Sequence, residues 1–469
     1  MQETEFPIED SNLDRAIPVG LFATVVFTAL AHGAVEPWAL AVFQFMTVAL
    51  IALWCVRMII RSRLSLWIPS TSFPLAALVL MGVIQSIAFT DSVGQRTGLS
   101  LDIEATRATV FALFFLFIWF LLAVDVLAEK KHRHTLVTFL IAFGVALALF
   151  GLIQHFTWNG RLYWIRPLTS QDSSPFGPFV NRNHFAGYME MLAPLPIAMI
   201  ITRAGRRDSQ LMYVFAATMM SLAAVVSLSR GGMISLAAEM VFILIIGRGR
   251  ANRHESSTAF TILRPAALIL LIIGAISAGI FWAGPERIIN RITGQNGTGE
   301  TQTQRAETFY SSRGWIWRET VAMIAANPML GVGLGAYETA YPIYSSDDGS
   351  SAVGKSLVVD RAHNDYLQIM SDCGVVGAAL AVWFIVLIFR AVARGKRSRD
   401  PLRKALAIGC GTGIFGLLVH SLVDFNLQLP SNALLFLLLL AAVTQAGAKK
   451  PATTREEVAE RDTNLAVSQ

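Results

Sequence analysis

Apolar runs of 17–25 residues recur along the whole of this 469-residue chain, and no other feature limits its fold so much. At about 1.5 Å per residue, such a run crosses roughly 30 Å of hydrocarbon. Backbone polar groups in lipid must pair within the structure that spans it. The runs are continuous rather than alternating apolar and polar, which excludes a transmembrane barrel and leaves helices. With 54% hydrophobic residues, 15% charged and a mean hydropathy of +0.53, a soluble globular class is excluded too. The expected fold class is an all-α polytopic membrane protein.

Twelve spans are predicted, at 17–34, 38–56, 73–89, 108–127, 136–156, 184–201, 212–228, 233–246, 266–283, 375–392, 405–423 and 432–446. They divide the chain into a tail (1–16), nine spans (17–283), a large loop subdomain (284–373), three spans (374–447) and a second tail (448–469). The first residues, MQETEFPIEDSNLD, are acidic and lack the basic start of a cleavable signal peptide, so the first span is expected to stay as an anchor.

Alternate connections are basic. One set carries nineteen Lys and Arg, among them Arg57, Arg61, Lys130, Lys131, Arg133, Arg203, Arg394 and Lys396. The opposite short loops carry six, Arg96, Arg107, Arg161, Arg166, Arg182 and Arg230. The positive-inside rule puts the first set and both termini in the cytoplasm. The net charge of +6 thus reports topology rather than a nucleic-acid partner. Cys55, Cys373 and Cys410 are scattered and make neither a disulfide framework nor a metal site.

The two longest connections, 157–183 and 284–373, then face away from the cytoplasm, and arginines there need a reason other than topology. In the larger one, 293–304 (TGQNGTGETQTQ) is polar and expected to be mobile, and Asn296-Gly297-Thr298 matches a glycosylation sequon only formally. After Ser311-Ser312-Arg313-Gly314, an amphipathic helix is predicted with Trp317, Val321, Ile324 and Ala325 on its apolar face, stopped by Asn327-Pro328. GVGLGAY at Gly331–Tyr337 lacks the βαβ context of a phosphate loop and reads as a tight turn back to the membrane. Asp347-Asp348, in a Ser/Gly-rich stretch, reads as a solvated turn, and no acidic cluster has metal-ligand spacing. No cofactor is expected.

Four polar groups converge on the outer face. Asn181, Arg182, Asn183 and His184 stand at the start of a membrane helix, where free N–H groups and the helix dipole favour an anion; the alternative is an interfacial cap with a snorkelling arginine. Ser229-Arg230-Gly231-Gly232 forms the hairpin between spans seven and eight, with glycines suited to a sharp turn and a close neighbour; Arg230 is either functional or a snorkelling anchor. Arg313 on its own reads as a solvated loop residue. His363 is expected in the first turn of a short helix, beside Asn364, Asp365 and Tyr366, with Gly374 ending or kinking that helix. An imidazole titrates near neutral pH and suits general-base work, although a lone histidine is as readily structural. Arginines can neutralise a diphosphate through their fork of donors while the base deprotonates a hydroxyl.

These residues carry a resemblance. SRGG at Ser229–Gly232, SSRGWIW…NPMLGVGLGAY at Ser311–Tyr337 and AHNDYLQIMSDCGVVG at Ala362–Gly377 resemble the O-antigen ligase and polymerase family of bacterial inner-membrane glycosyltransferases. NRNHFAGY at Asn181–Tyr188 and HSLVDFNLQLP at His420–Pro430 extend the likeness, which covers about two-thirds of the chain, from the fifth span onward. The most specific mark is His363 followed by ten residues and Gly374. The resemblance implies a GT-C-like helical fold and metal-independent, inverting transfer of a glycan from undecaprenyl diphosphate to lipid A-core or a growing glycan, at the periplasmic face of the inner membrane. It implies that Arg230, Arg313 and His363 are essential. Arg182, Asn183, His184, Arg361, Asn364, Asp365 and Tyr366 are the further candidates for substrate contacts. Ligases and polymerases share these motifs, so the acceptor stays open. A transporter or flippase is the competing class, and would show paired repeats and ionisable residues near the bilayer midplane. Asp125, Glu190 and Glu239 bear on that choice, although all could lie near interfaces. A scaffold of an export complex is the third class and has no need of His363.

Overall fold

The computed structural model describes residues 12–61, 67–90, 96–168, 174–205, 207–247, 302–345 and 359–448, with 273, 274 and 277 between them. The expected ninth span at 266–283 thus lies almost wholly outside the described residues, as do the sequon, Asp347-Asp348 and most of 293–304.

Helices dominate. In chain order they are α1 Asn12–Leu30, α2 Pro37–Ile60, α3 Ser72–Gln85, α4 Ile103–Val126, α5 Lys130–Phe156, α6 Arg182–Leu192, α7 Pro194–Ile201, α8 Gln210–Val226, α9 Arg230–Gly247, α10 Gln302–Ala326, α11 Tyr337–Tyr344, α12 Asp365–Gly395, α13 Pro401–His420 and α14 Pro430–Gly447. The sheet found among the described residues is two short hairpins, Ala88–Thr90 with Arg96–Gly98 and Arg161–Leu162 with Arg166–Pro167. Among the described residues nine helical stretches are long and apolar enough to span a membrane, α6 and α7 counting as one across Pro194. The shorter apolar helices α3 and α8 fall on the expected third and seventh spans. The chain is a multi-pass membrane protein.

α14 runs through the middle. Its stretch Leu434–Val443 is apolar on every side, and every residue after Pro430 is buried, as a helix without a polar face must be. α13 packs beside it and presents a glycine to each of several neighbours. A Cβ on Gly409 would lie 2.8 Å from the Leu195 backbone of α7, one on Gly413 2.2 Å from Met191 of α6, and one on Gly411 2.7 Å from Val392 of α12. Lipid supplies no hydrophobic drive between helices, so close backbone approach at small residues is what holds such a seam.

The connections sort to two ends. At one, Arg61 pairs with Asp14 at 2.5 Å, Arg57 pairs with Asp125, Arg403 donates to the Ala446 carbonyl at 3.1 Å and Gln445 to that of Val124 at 2.7 Å. At the other end lie His32, the described residues 157–168 and 174–181, the α8–α9 turn, residues 327–345 and 359–364, and the 421–429 turn. Contacts such as Tyr163 to the Leu30 carbonyl and His32 to that of Pro178, 3.2 Å, tie them together.

Several local expectations are corrected. α5 begins at Lys130, six residues before the predicted span, because its first turn is basic and invisible to apolarity. Arg313 lies inside α10 rather than before it. That helix buries Glu319, Thr320 and Met323, leaving Val321 53% exposed; Met323 packs on Val332, Tyr337, Tyr341 and Ala362, and Thr320 bonds the Tyr337 hydroxyl at 2.7 Å. His363 precedes α12 instead of lying in its first turn; Asn364 is the cap, and His363 takes a left-handed φ of 49°. The α8–α9 turn is made at Leu228, φ 61°, while Gly231 and Gly232 belong to the first turn of α9. Glu190 and Glu239 are not interfacial. Both are fully buried, eight and nine residues into α6 and α9, or about 12–14 Å below their starts. The kink at Gly374 (φ 61°, ψ −157°) and the turn at Gly331–Gly335, where all three glycines have positive φ, follow expectation.

Candidate active site

The turn from Ser421 to Leu429 closes the gap between α13 and α14, and the site is built around it. Pro430 opens α14, where its missing N–H costs nothing. Asn432 in the first turn donates to Asn426 Oδ1 at 3.0 Å and to the His184 carbonyl at 3.1 Å, drawing the turn onto α6. Gly187 makes room for Asn426, since a Cβ there would sit 2.5 Å from Asn426 Oδ1.

Asp424 is the centre, with 1% of its surface exposed. Its Oδ2 accepts from Asn183 Nδ2 at 2.6 Å, and its Oδ1 accepts from the Phe425 backbone at 2.9 Å and stands 3.9 Å from His363 Nδ1. Burial alone would raise this carboxyl's pKa. The His363 imidazole, the His184 and His420 rings and the Arg313 guanidinium outweigh it and hold Asp424 well below the usual carboxylate range. A buried anion has therefore been fixed among cationic and imidazole groups.

Phe425 carries a ring on either side. The His184 imidazole meets it edge-on with centroids 5.0 Å apart, and the His363 imidazole does so at 4.9 Å. His363 keeps 31% of its side chain exposed, so it can be reached from outside, whereas His184 is 6% exposed. Arg313, brought in by α10, donates to the Val423 carbonyl. Gly231, next to Arg230, lies against the same turn: a Cβ there would be 2.6 Å from His420 Nε2 and 3.0 Å from Val423 Cγ2. Arg313, His363 and the start of α9 at Gly231, next to Arg230, thus meet on the consecutive residues Val423, Asp424 and Phe425.

The remaining candidates divide. Asn183 and His184 join this centre, and Arg182 opens α6 beside them, half-buried. Asn364 caps α12, accepting from Tyr366 and Leu367 at 3.0 and 3.1 Å, and donates to the Leu422 carbonyl at 2.9 Å. Asp365 accepts from Ser421 Oγ at 2.7 Å and from the Leu427 backbone and Gln428 at 3.3 Å; Tyr366 donates to the Leu418 carbonyl at 2.8 Å. These three side chains are engaged in fastening the start of α12 to the turn. Arg361 bonds the neighbouring Asp360 carbonyl at 3.0 Å and stands apart from the centre.

Sequence reasoning passed over Asp424 and Phe425, although they lie in the quoted HSLVDFNLQLP. The signal was there: Asp424 is the one acid in a short apolar connection between two spans. It also missed that Glu190, under the site, pairs its Oε1 with His420 Nδ1 at 2.8 Å, and that Glu239 lies deep enough to meet Gly416, where a Cβ would overlap Oε1 at 1.7 Å. Among the described residues no group of three or more His, Cys, Asp or Glu is placed to hold a metal ion.

No curated protein matches the chain. A family model described as O-antigen ligase matches residues 215–382, a stretch that includes Arg230, Arg313 and His363 and ends before Asp424. Over residues 215–382 the chain is thus similar to the O-antigen ligase family.

Proposed function

We propose that the protein transfers a glycan from undecaprenyl diphosphate to an acceptor hydroxyl, on lipid A-core or a growing polysaccharide, at the periplasmic face of the bacterial inner membrane. The observation that carries this reading is the meeting of Arg313, His363 and the start of α9, which bears Arg230, on residues 423–425. The likeness of residues 215–382 to the O-antigen ligase family supports a lipid-linked glycan as substrate, and the gathering of basic connections at the opposite end supports a periplasmic site.

With Nδ1 turned towards Asp424, His363 offers Nε2 to the acceptor hydroxyl. The hydroxyl oxygen attacks the anomeric carbon from the face opposite the diphosphate. Its proton passes to His363, and the bond from the anomeric carbon to the phosphate oxygen breaks with its electron pair leaving on the diphosphate. Inversion follows from that single displacement. Arg230 and Arg313 bind the diphosphate and take up the charge that grows on it, metal-independently, since a guanidinium presents two parallel donors to phosphate oxygens. Asp424 faces the imidazole and balances the positive charge it gains. Asn364, Asp365 and Tyr366 act by holding the loop in place, and Arg182, Asn183, His184 and Arg361 border the substrates.

A transporter or flippase is the second reading, favoured by the burial of Glu190 and Glu239 deep within spans. Reconstitution with an undecaprenyl-diphosphate-linked oligosaccharide and either lipid A-core or a second lipid-linked repeat separates the two. Transfer forms a new glycosidic bond, capped product on the first acceptor marking a ligase and a ladder on the second a polymerase. His363→Ala stops it while the protein still inserts, and Arg313→Lys, which keeps the charge and loses the fork, slows it about 10–100-fold. Normal transfer by His363→Ala removes the mechanism. Movement of the glycan across the bilayer with no new bond favours the transporter.

A further inference from the structure

Gln85 closes α3, far from the family-matched stretch, and is 1% exposed. Its amide is fully used. Nε2 donates to the Leu330 carbonyl at 2.7 Å and the Asp372 carbonyl at 3.0 Å, and Oε1 accepts from the Leu334 backbone at 3.0 Å. One side chain of the N-terminal half therefore joins the large loop to the helix that follows His363.

The two pieces it joins are interlocked. Where α12 breaks at Gly374, the loop backbone fills the gap: Val375 donates to the Pro328 carbonyl at 2.8 Å, and Val332 and Gly333 donate to the Ser371 and Asp372 carbonyls at 2.8 and 3.1 Å. A Cβ on Gly374 would sit 2.4 Å from the Met329 backbone, and one on Gly331 2.4 Å from that of Asp372, so neither position admits a side chain. Beneath, Leu334 packs with Met81 of α3 and Cys373.

From this junction, contiguous bonds reach both candidate groups. Asp372 Oδ1 accepts from Gln368 Nε2 at 3.1 Å, Gln368 Oε1 accepts from the Ala362 backbone at 2.8 Å, and His363 follows Ala362. The Ala362 carbonyl accepts from Trp317 Nε1 at 3.0 Å, one helical turn after Arg313. On the other side, Leu330 lies four residues beyond Ala326, the end of α10, the helix that carries Arg313.

We infer that Gln85 is a positioning residue for glycan transfer: by clamping the Leu330–Leu334 turn to Asp372 it fixes the register of Arg313 against His363. The inference rests on the roles proposed above for those two residues. Without the amide, Leu334 N–H and the Leu330 carbonyl lose their buried partner, and the loop and α12 are free to shift relative to each other. A displacement of about 1 Å at a reacting group costs up to roughly a hundredfold in rate, with little effect on binding of the bulk of the substrate.

The test uses the full chain in lipid nanodiscs, as wild type, Gln85→Leu and the isosteric Gln85→Glu, with Ser86→Ala as the neighbouring control. Hydrogen exchange is followed at Leu334, Ala362 and Asp365, and turnover with an undecaprenyl-diphosphate-linked oligosaccharide is followed in parallel. Gln85→Leu should exchange roughly tenfold faster at Leu334 and also at Ala362, the effect of one lost hydrogen bond on an opening equilibrium. Turnover should fall about 10–100-fold with the donor KM within about twofold of wild type. Gln85→Glu keeps the acceptor for Leu334 and loses both donors, and should fall between. Faster exchange confined to Leu334, with Ala362 unchanged, overturns the inference whatever the activity does. So does faster exchange at both with undiminished turnover. If the wild type shows no transfer, the proposed function fails, and the exchange at Ala362 still decides whether Gln85 holds the two arms in register.

Discussion

Asp424 Oδ1 stands 3.9 Å from His363 Nδ1, beyond a hydrogen bond and within the range of an ion pair once the ring is protonated. A carboxylate held charged behind a base is an arrangement that stabilises the imidazolium after it has taken a proton. Asp424→Asn keeps the size and a partner for Asn183 and loses the charge. Transfer should fall about 10²-fold or more, with insertion and donor binding little changed, measured by turnover and donor KM in one preparation. An Asp424→Asn protein as active as wild type would leave the carboxylate without a role in the chemistry.

The same group carries a pH signature. Its folded pKa is depressed, so its stabilising contribution is complete above the unfolded carboxyl value, about 4, and is lost as pH falls through the folded value below that. Melting in detergent, followed by tryptophan fluorescence, should owe no pH dependence to Asp424 between about pH 5 and 8, where its contribution is constant. It should lose a component below about pH 4 that Asp424→Asn lacks.

Gly231 puts the N-terminus of α9 against His420. A methyl group there meets the ring at 2.6 Å and must push α9, and Arg230 with it, away from the turn. Gly231→Ala should cost about 1–3 kcal/mol in stability, as overpacking does, and slow transfer more than Gly314→Ala, whose Cβ meets nothing within 4 Å. Melting midpoints and turnover of the two variants compare them directly.

Glu190 and His420 are 0% and 1% exposed and bonded to each other within the spans. Removing one partner strands the other in a medium that cannot solvate it. Glu190→Leu or His420→Leu alone should cost about 3–5 kcal/mol, while the double variant should recover much of that loss. A loss in the double variant equal to the sum of the two single losses would mean that the pair is not coupled.

The spans were legible because lipid allows few solutions: an apolar run of the right length has little choice but helix, and α14, apolar all round, had to be central. The Gly374 kink and the stop at Pro328 were legible from backbone chemistry. Arg313 was misplaced because Gly314 suggests a helix start, and the tertiary contacts of Thr320 and Met323 carried the helix through it. The backbone of His363 was illegible, since nothing local asks for φ 49° there; the cap at Asn364 and the bond of Asp365 N–H to the Ser421 carbonyl, 2.9 Å, impose it from outside. Asp424 escaped notice for a related reason. Its meaning lies in Asn183 and His363, 241 and 61 residues away, and no spacing rule spans such distances.

α13 sits in the bundle like a shaft keyed on several sides. Gly409, Gly411, Gly413 and Gly416 seat against α7, α12, α6 and Glu239 of α9 at successive heights, and a slip of one residue would turn the helix about 100° and drive each Cα ridge into a side chain. The helix can therefore neither rotate nor slide. Because the 421–429 turn hangs from the end of α13, those four notches also fix the height of Asp424 along the bundle, and under the proposed function they would set which part of a lipid-borne substrate reaches it.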